Sequence, residues 1–141
     1  MVINTCSGAM SFAKELENES AKFYQNLSQR FVKDKEAFLS FAKENGEYIT
    51  QIERAYYGVI TDAIEGCFAF NIDPEKYRFK TELSEKTALS DALTKALEIE
   101  EKMVKFYSDA ADQSKSLMAD VPRAFRMVAK KRDNRKAKLI S

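Results

Sequence analysis

The chain has 141 residues, 45% of them hydrophobic and 32% charged, with a formal net charge of +1. That length fits one domain able to bury about two-thirds of its unfolded surface, and near-neutral charge offers no field for nucleic acid or an acidic partner. Histidine is absent, which excludes Ser-His-Asp triads, Cys-His nucleophile pairs and His-rich catalytic zinc sites.

Only 4 glycines and 2 prolines are present, a composition that suits an all-helical protein. Gly8, Gly46, Gly58 and Gly66 stand apart, so no Gly-rich loop can cradle a phosphate. Cys6 and Cys67 are distant and lie in no CxxC, so they read as reduced thiols of a cytoplasmic protein. The opening MVINTCSGAM lacks the basic and apolar regions of a signal peptide. No apolar stretch reaches the roughly 18 residues that would span a membrane.

The first predicted helix runs from about Ala9 to Arg30. Ala13, Leu16, Ser20, Phe23, Leu27 and Phe31 recur at spacings of three and four and share a face. The second runs from about Lys35 to Glu65, with Phe38, Phe41, Ala42, Ile49, Ile52, Tyr56, Val59 and Ala63 as its stripe. Asp34 is a candidate N-cap between them, and the short turn implies an antiparallel pair. Residues 67–86 keep no period, and Asn71, Asp73 and Pro74 break any helix. The aromatics Phe68, Phe70, Tyr77 and Phe79 in this crossover are expected to cover the side of the bundle; uncovered, they would form a patch for a partner or a second subunit.

A third helix is expected to start at Thr87 or Ser90 and run to about Lys115, burying Leu89, Leu93, Ala96, Met103, Tyr107 and Ala110. A fourth opens near Asp120, with Pro122 at an early position where proline is tolerated. Its stripe is Phe125, Val128, Ala129 and Leu139. The whole chain, 1–141, is therefore one domain: a hairpin over about 9–66, a long crossover and a second hairpin over about 87–140. A connection that long has to travel the bundle, so that helices 2 and 3 run parallel.

The two hairpins carry one repeated signature. ELENESAKFY holds Glu17 and Tyr24; EIEEKMVKFY holds Glu100 and Tyr107. Both pairs share an offset of 83 positions (100 − 17 and 107 − 24), as do Ala13 with Ala96 and Lys22 with Lys105. A Glu on an apolar face usually snorkels to water. Two at matching repeat positions point instead to a buried, shared role.

Here the chain resembles the rubrerythrin-like branch of the ferritin-like superfamily over nearly its whole length. Glu17 and Glu100 match the carboxylate ligands on the family's first and third helices. In FLSFAKENGEYITQI, the Phe41-Ala42 pair sets a register with Asn45 at the family's Glu position and Tyr48 at its His position. In FRMVAKKRDNRKAKL, Val128-Ala129 sets Arg132 at the second Glu position and Arg135 at the second His position. The resemblance implies a ferritin-like four-helix bundle and, in the family, a di-iron cofactor with oxidoreductase activity. Two of the six ligand positions keep their residue, and arginine has no lone pair for a metal. The reading is a degenerate di-iron site: no catalytic residue, no metal expected, and a non-enzymatic role in partner binding or regulation. Glu17 and Glu100 are expected to pair with Arg132 and Arg135, charge against charge, with Tyr24, Tyr48, Tyr107 and Asn45 satisfying what remains. A homodimer or another protein partner fits this reading; nucleic acid and membrane do not.

One alternative keeps the iron. A one-residue bulge at Gly46 would turn Glu44 and Glu47 inward in place of Asn45 and Tyr48, and a di-iron oxidoreductase would then use displaced carboxylates.

Overall fold

A computed structural model describes residues 2–59, 70–114 and 120–140. These form four helices, α1 (Cys6–Arg30), α2 (Lys35–Val59), α3 (Leu89–Gln113) and α4 (Asp120–Ile140). Among the described residues there is no strand, only an isolated antiparallel bridge between Ile3 and Ile72. The protein is all-α.

The helix starts differ from expectation at two places. α1 begins at Cys6 rather than near Ala9, because Thr5 caps it: its hydroxyl oxygen accepts the Gly8 N–H at 3.0 Å. α3 begins at Leu89, and its N-cap is Ala88, not Thr87 or Ser90. Thr87 is engaged elsewhere, its hydroxyl 2.9 Å from that of Ser84. A single 3-10 turn, Val32–Asp34, links α1 to α2. The expected ends of helix 2 at Glu65 and helix 3 at Lys115 lie outside the described residues, as do Cys67 and Phe68.

Helix directions follow from cross-bundle neighbours. Ser20 meets Asn45 while Tyr24 packs on Phe41, so α1 and α2 run antiparallel. Tyr24 meets Glu100 while Glu17 meets Tyr107, so α1 and α3 are antiparallel as well. α2 and α3 therefore point the same way. α4 opposes both: Tyr107 neighbours Phe125, and Arg132 neighbours Glu100 and Asn45.

The core fills with the residues on the predicted stripes, among them Ala13, Leu16, Phe23, Leu27, Ala96, Met103 and Val128. Phe12 and Phe106, off those stripes, are buried too and pack edge to face at 5.4 Å. They are covered by the segment after α2. Phe70 and Tyr77 are buried, and Phe79 is partly buried against the core. Tyr77 sits edge-on to Phe106 at 5.5 Å and donates its hydroxyl to Asp109. Residues 70–72 are tied down by Ile3 N–H to Ile72 carbonyl at 2.7 Å and Ile72 N–H to Ile3 carbonyl at 2.9 Å.

Candidate functional site

All four helices aim polar side chains at one point in the core. Glu17 and Ser20 come from α1, Asn45 and Tyr48 from α2, Glu100 from α3, Arg132 and Arg135 from α4, and all are buried. Helical spacing brings them there: positions three and four apart share a face, and these lie on the buried stripes.

Arg132 is the hub, with no exposed surface. It grips Glu17 with two bonds, Nε to Oε2 at 3.1 Å and Nη2 to Oε1 at 2.5 Å. Its Nη1 donates to Glu100 Oε1 at 2.7 Å, and Nη2 donates also to Asn45 Oδ1. The Tyr107 hydroxyl completes Glu17 at 2.5 Å, and the Tyr24 hydroxyl completes Glu100 at 2.5 Å. Each tyrosine thus serves the carboxylate of the other half of the repeat.

Arg135 is held more loosely. Nη1 lies 3.5 Å from Glu100 Oε2 and 3.4 Å from Asn45 Oδ1. Nη2 donates to the Phe41 carbonyl at 3.2 Å, to Glu44 at 3.3 Å and to the Tyr48 hydroxyl at 3.4 Å. Its guanidinium carbon lies 4.7 Å from the centroid of Phe41, 5.2 Å from that of Tyr24 and 5.5 Å from that of Tyr48. Cation–π attraction therefore makes up part of what its hydrogen bonds lack. Buried Arg135 Nε has no hydrogen-bond partner.

Burial pushes the Glu17 carboxyl up from its usual range, while Arg132 and the Tyr107 hydroxyl pull it back only in part. Burial also works against the charge on Arg132, but Glu100 and Glu17 outweigh it and hold the guanidinium well above its ordinary value. These two directions conflict over one ion pair, and the hydrogen bonds decide it. Every group facing the Glu17 oxygens is a donor, so Glu17 is the ionised acceptor. Burial raises the Tyr24 and Tyr107 phenols well above 10, helped by Glu100 and Glu17 respectively. The Tyr48 phenol is raised by burial against the opposing pull of Arg135. The centre is thus two carboxylates and two guanidiniums, neutral in sum, ringed by neutral phenols.

Glu44 stands at the rim, a third of its side chain exposed, and reaches Arg135 at 3.3 Å. Glu47 is on the exposed face of α2. α2 is a regular α-helix through Gly46, without the bulge that would turn both residues inward.

The residues present do not fit a di-iron centre. The guanidinium of Arg132 fills the space between Glu17 and Glu100 and takes the oxygens that iron would need. Among the described residues, no group of three or more His, Cys, Asp or Glu could hold a metal ion.

Sequence reasoning missed the exchange of tyrosines between the repeats and the Phe41 carbonyl as a partner of Arg135. The first was legible in the equal seven-residue spacing of Glu17–Tyr24 and Glu100–Tyr107 once the helices are set antiparallel. The second had no signal, because a backbone acceptor carries no residue type. No helix of the described residues is long and apolar enough to cross a membrane. No family model, curated protein or solved structure matches the chain.

Proposed function

We propose that this chain is a ferritin-like bundle of the rubrerythrin-like type whose di-iron site has given way to an internal ion-pair cluster, and that it works by binding a protein partner or by regulation rather than by catalysis. The observation that carries this reading is Arg132, buried between Glu17 and Glu100 and bonded to both. Parallel α2 and α3, the long connection between them and the repeated Glu–Tyr signature support the ferritin-like topology, two antiparallel hairpins joined by one crossover. Fold alone does not set activity; the site does. Here both buried carboxylates are spent on Arg132 and tyrosine, and no histidine offers proton transfer near neutral pH. A guanidinium at that spot repels a dication at short range in a low-dielectric core.

A solution surface is the remaining place to act. Tyr57 on α2 and Met127 on α4 are large, apolar and exposed. A homodimer or a second protein in a cytoplasmic setting fits such a surface.

The test is metal. Expressed with iron and manganese and purified under anaerobic conditions, the chain holds no stoichiometric metal. The variant Asn45→Glu, Tyr48→His, Arg132→Glu, Arg135→His restores the family's full ligand set around Glu17 and Glu100. It melts at a higher temperature when ferrous iron or manganese is added, because a ligand that binds only the folded state stabilises it. Stoichiometric iron in the unmodified chain would overturn the reading.

A further inference from the structure

The net charge of +1 is not evenly spread. Outside the hub, α4 carries six cationic side chains, Arg123, Arg126, Lys130, Lys131, Lys136 and Lys138, against two acidic ones, Asp120 and Asp133. That surplus of four gives one helix a local positive field that the near-neutral total conceals. Its ion pairs are long: Arg123 lies 3.7 Å from Asp120, and Lys136 lies 4.0 Å from Glu101 and from Asp133. Arg126 and Lys130 pair with no carboxylate among the described residues.

Between α2 and α4 lies a groove of about 310 Å³. Gln51, Arg54 and Ala55 line it from α2, and Arg123, Ala124 and Met127 from α4. Each wall thus supplies one exposed guanidinium, and Arg54 has no carboxylate partner among the described residues. Lys131 follows Met127 by one turn, its ammonium 5.9 Å from the centroid of Tyr48. A basic helix face on its own is a solvated surface. The groove adds two features that solvation leaves unexplained. Met127 is 46% exposed beside Ala55 and Ala124, an apolar lining between cations. The buried Oε1 of Gln51 has no hydrogen-bond partner, and such an acceptor calls for a donor.

We propose, on the footing of the partner-binding reading above, that this groove docks a short acidic peptide segment of a partner protein. An apolar side chain of the segment lies against Met127, and its carboxylates meet Arg54 and Arg123, whose forks take a carboxylate in two parallel hydrogen bonds. The Gln51 amide turns about its last torsion, which is soft, and its oxygen accepts a backbone N–H of the peptide. A phosphate chain offers no such donor, and Asp120 and Asp133 interrupt the basic run that it would follow. A second copy docked through the same face would set cation against cation.

Random peptides of about ten residues, displayed on phage and selected on the full chain, test this. The enriched sequences are then made as fluorescein-labelled peptides for anisotropy titration. They carry Asp and Glu on both sides of an apolar residue and bind with a Kd below about 100 μM. Arg54→Glu and Arg123→Glu, both on exposed side chains, each weaken binding about tenfold or more at an unchanged melting temperature. Where a reversal lowers the melting temperature, Arg54→Gln and Arg123→Gln serve in its place. Lys80→Glu, exposed on the crossover segment, leaves the affinity as it was. No enrichment of acidic sequences, indifference to both charge reversals, or tighter binding of oligothymidine or of phosphatidylserine vesicles would each overturn the proposal. Its failure is distinct from that of the metal reading. A chain that holds no iron and selects no acidic peptide keeps the degenerate centre and loses the groove, whereas stoichiometric iron overturns the degenerate centre whatever the peptides do.

Discussion

Tyr24 donates its hydroxyl not to Glu17, its neighbour seven residues back on the same helix, but to Glu100 across the bundle, at 2.5 Å. Tyr107 and Glu17 mirror it at the same distance. The two halves of the repeat are therefore stitched to each other, and Arg132 sits where the stitches cross.

Removal of either carboxylate leaves a buried guanidinium short of its counter-charge. Glu17→Ala and Glu100→Ala should each destabilise the fold by roughly 3–5 kcal/mol, the usual cost of breaking a buried pair from one side. Glu98→Ala, on the exposed face of α3, should change stability by less than about 0.5 kcal/mol. Urea melts of the three variants decide; similar small losses would mean that the cluster is not buried in solution.

Apolar replacement of the whole cluster should behave differently. Glu17→Leu, Glu100→Leu, Arg132→Met and Arg135→Met together remove both carboxylates and both guanidiniums of the centre, so that no buried charge is left without its partner. Such exchanges of buried ionic groups are often neutral or stabilising by about 1–4 kcal/mol. The quadruple variant should therefore melt no lower than the parent, while Glu17→Leu, Glu100→Leu and Arg132→Met alone each melt well below it.

Alkali should unfold the protein through its phenols. Tyr24, Tyr48, Tyr77 and Tyr107 all have raised pKa values, with burial as the first cause. For an acid whose folded pKa is raised, the fold favours the neutral form. Stability is fully present below the unfolded value near 10 and falls as pH rises past it. Absorbance at 295 nm should show these four phenols ionising together with the loss of helical ellipticity. Ionisation of all tyrosines before any helix is lost would contradict the burial.

Gly46 and Gly8 should respond oppositely to alanine. A Cβ at Gly46 meets nothing within 4 Å on an exposed turn of α2, so Gly46→Ala gains about 1 kcal/mol of helix propensity. A Cβ at Gly8 would lie 3.0 Å from the Thr5 hydroxyl oxygen and 3.1 Å from Ile3 Cγ2. Gly8→Ala should disturb the N-cap of α1 and lower the melting temperature.

Most of the helical frame was legible from periodicity, because a core-facing helix has to repeat its apolar residues every three or four positions. Leu16, Phe23, Met103 and Val128 were found that way. Phe12 and Phe106 were not, because their burial comes from the crossover segment, whose irregular path leaves no period. The start of α3 at Leu89, capped by Ala88, was hidden for a related reason: Ser84 and Thr87 pair with each other, which spends the expected cap. In the centre, residue type and register were enough to bring Glu17, Asn45, Tyr48, Glu100, Arg132 and Arg135 into one cluster. Which oxygen met which nitrogen depended on side-chain rotamers, and on the Phe41 carbonyl, that no residue letter encodes.

A hub that needs Glu17 and Ser20 from α1, Asn45 from α2 and Glu100 from α3 makes the four helices one cooperative unit. If any one of these helices peels away, water does not simply wet a leucine; a guanidinium in the core loses its partners. Partial opening is therefore nearly as unfavourable as complete unfolding. The amides of all four helices around the hub should exchange with deuterium at one common free energy, and not in a ladder of separately opening pieces.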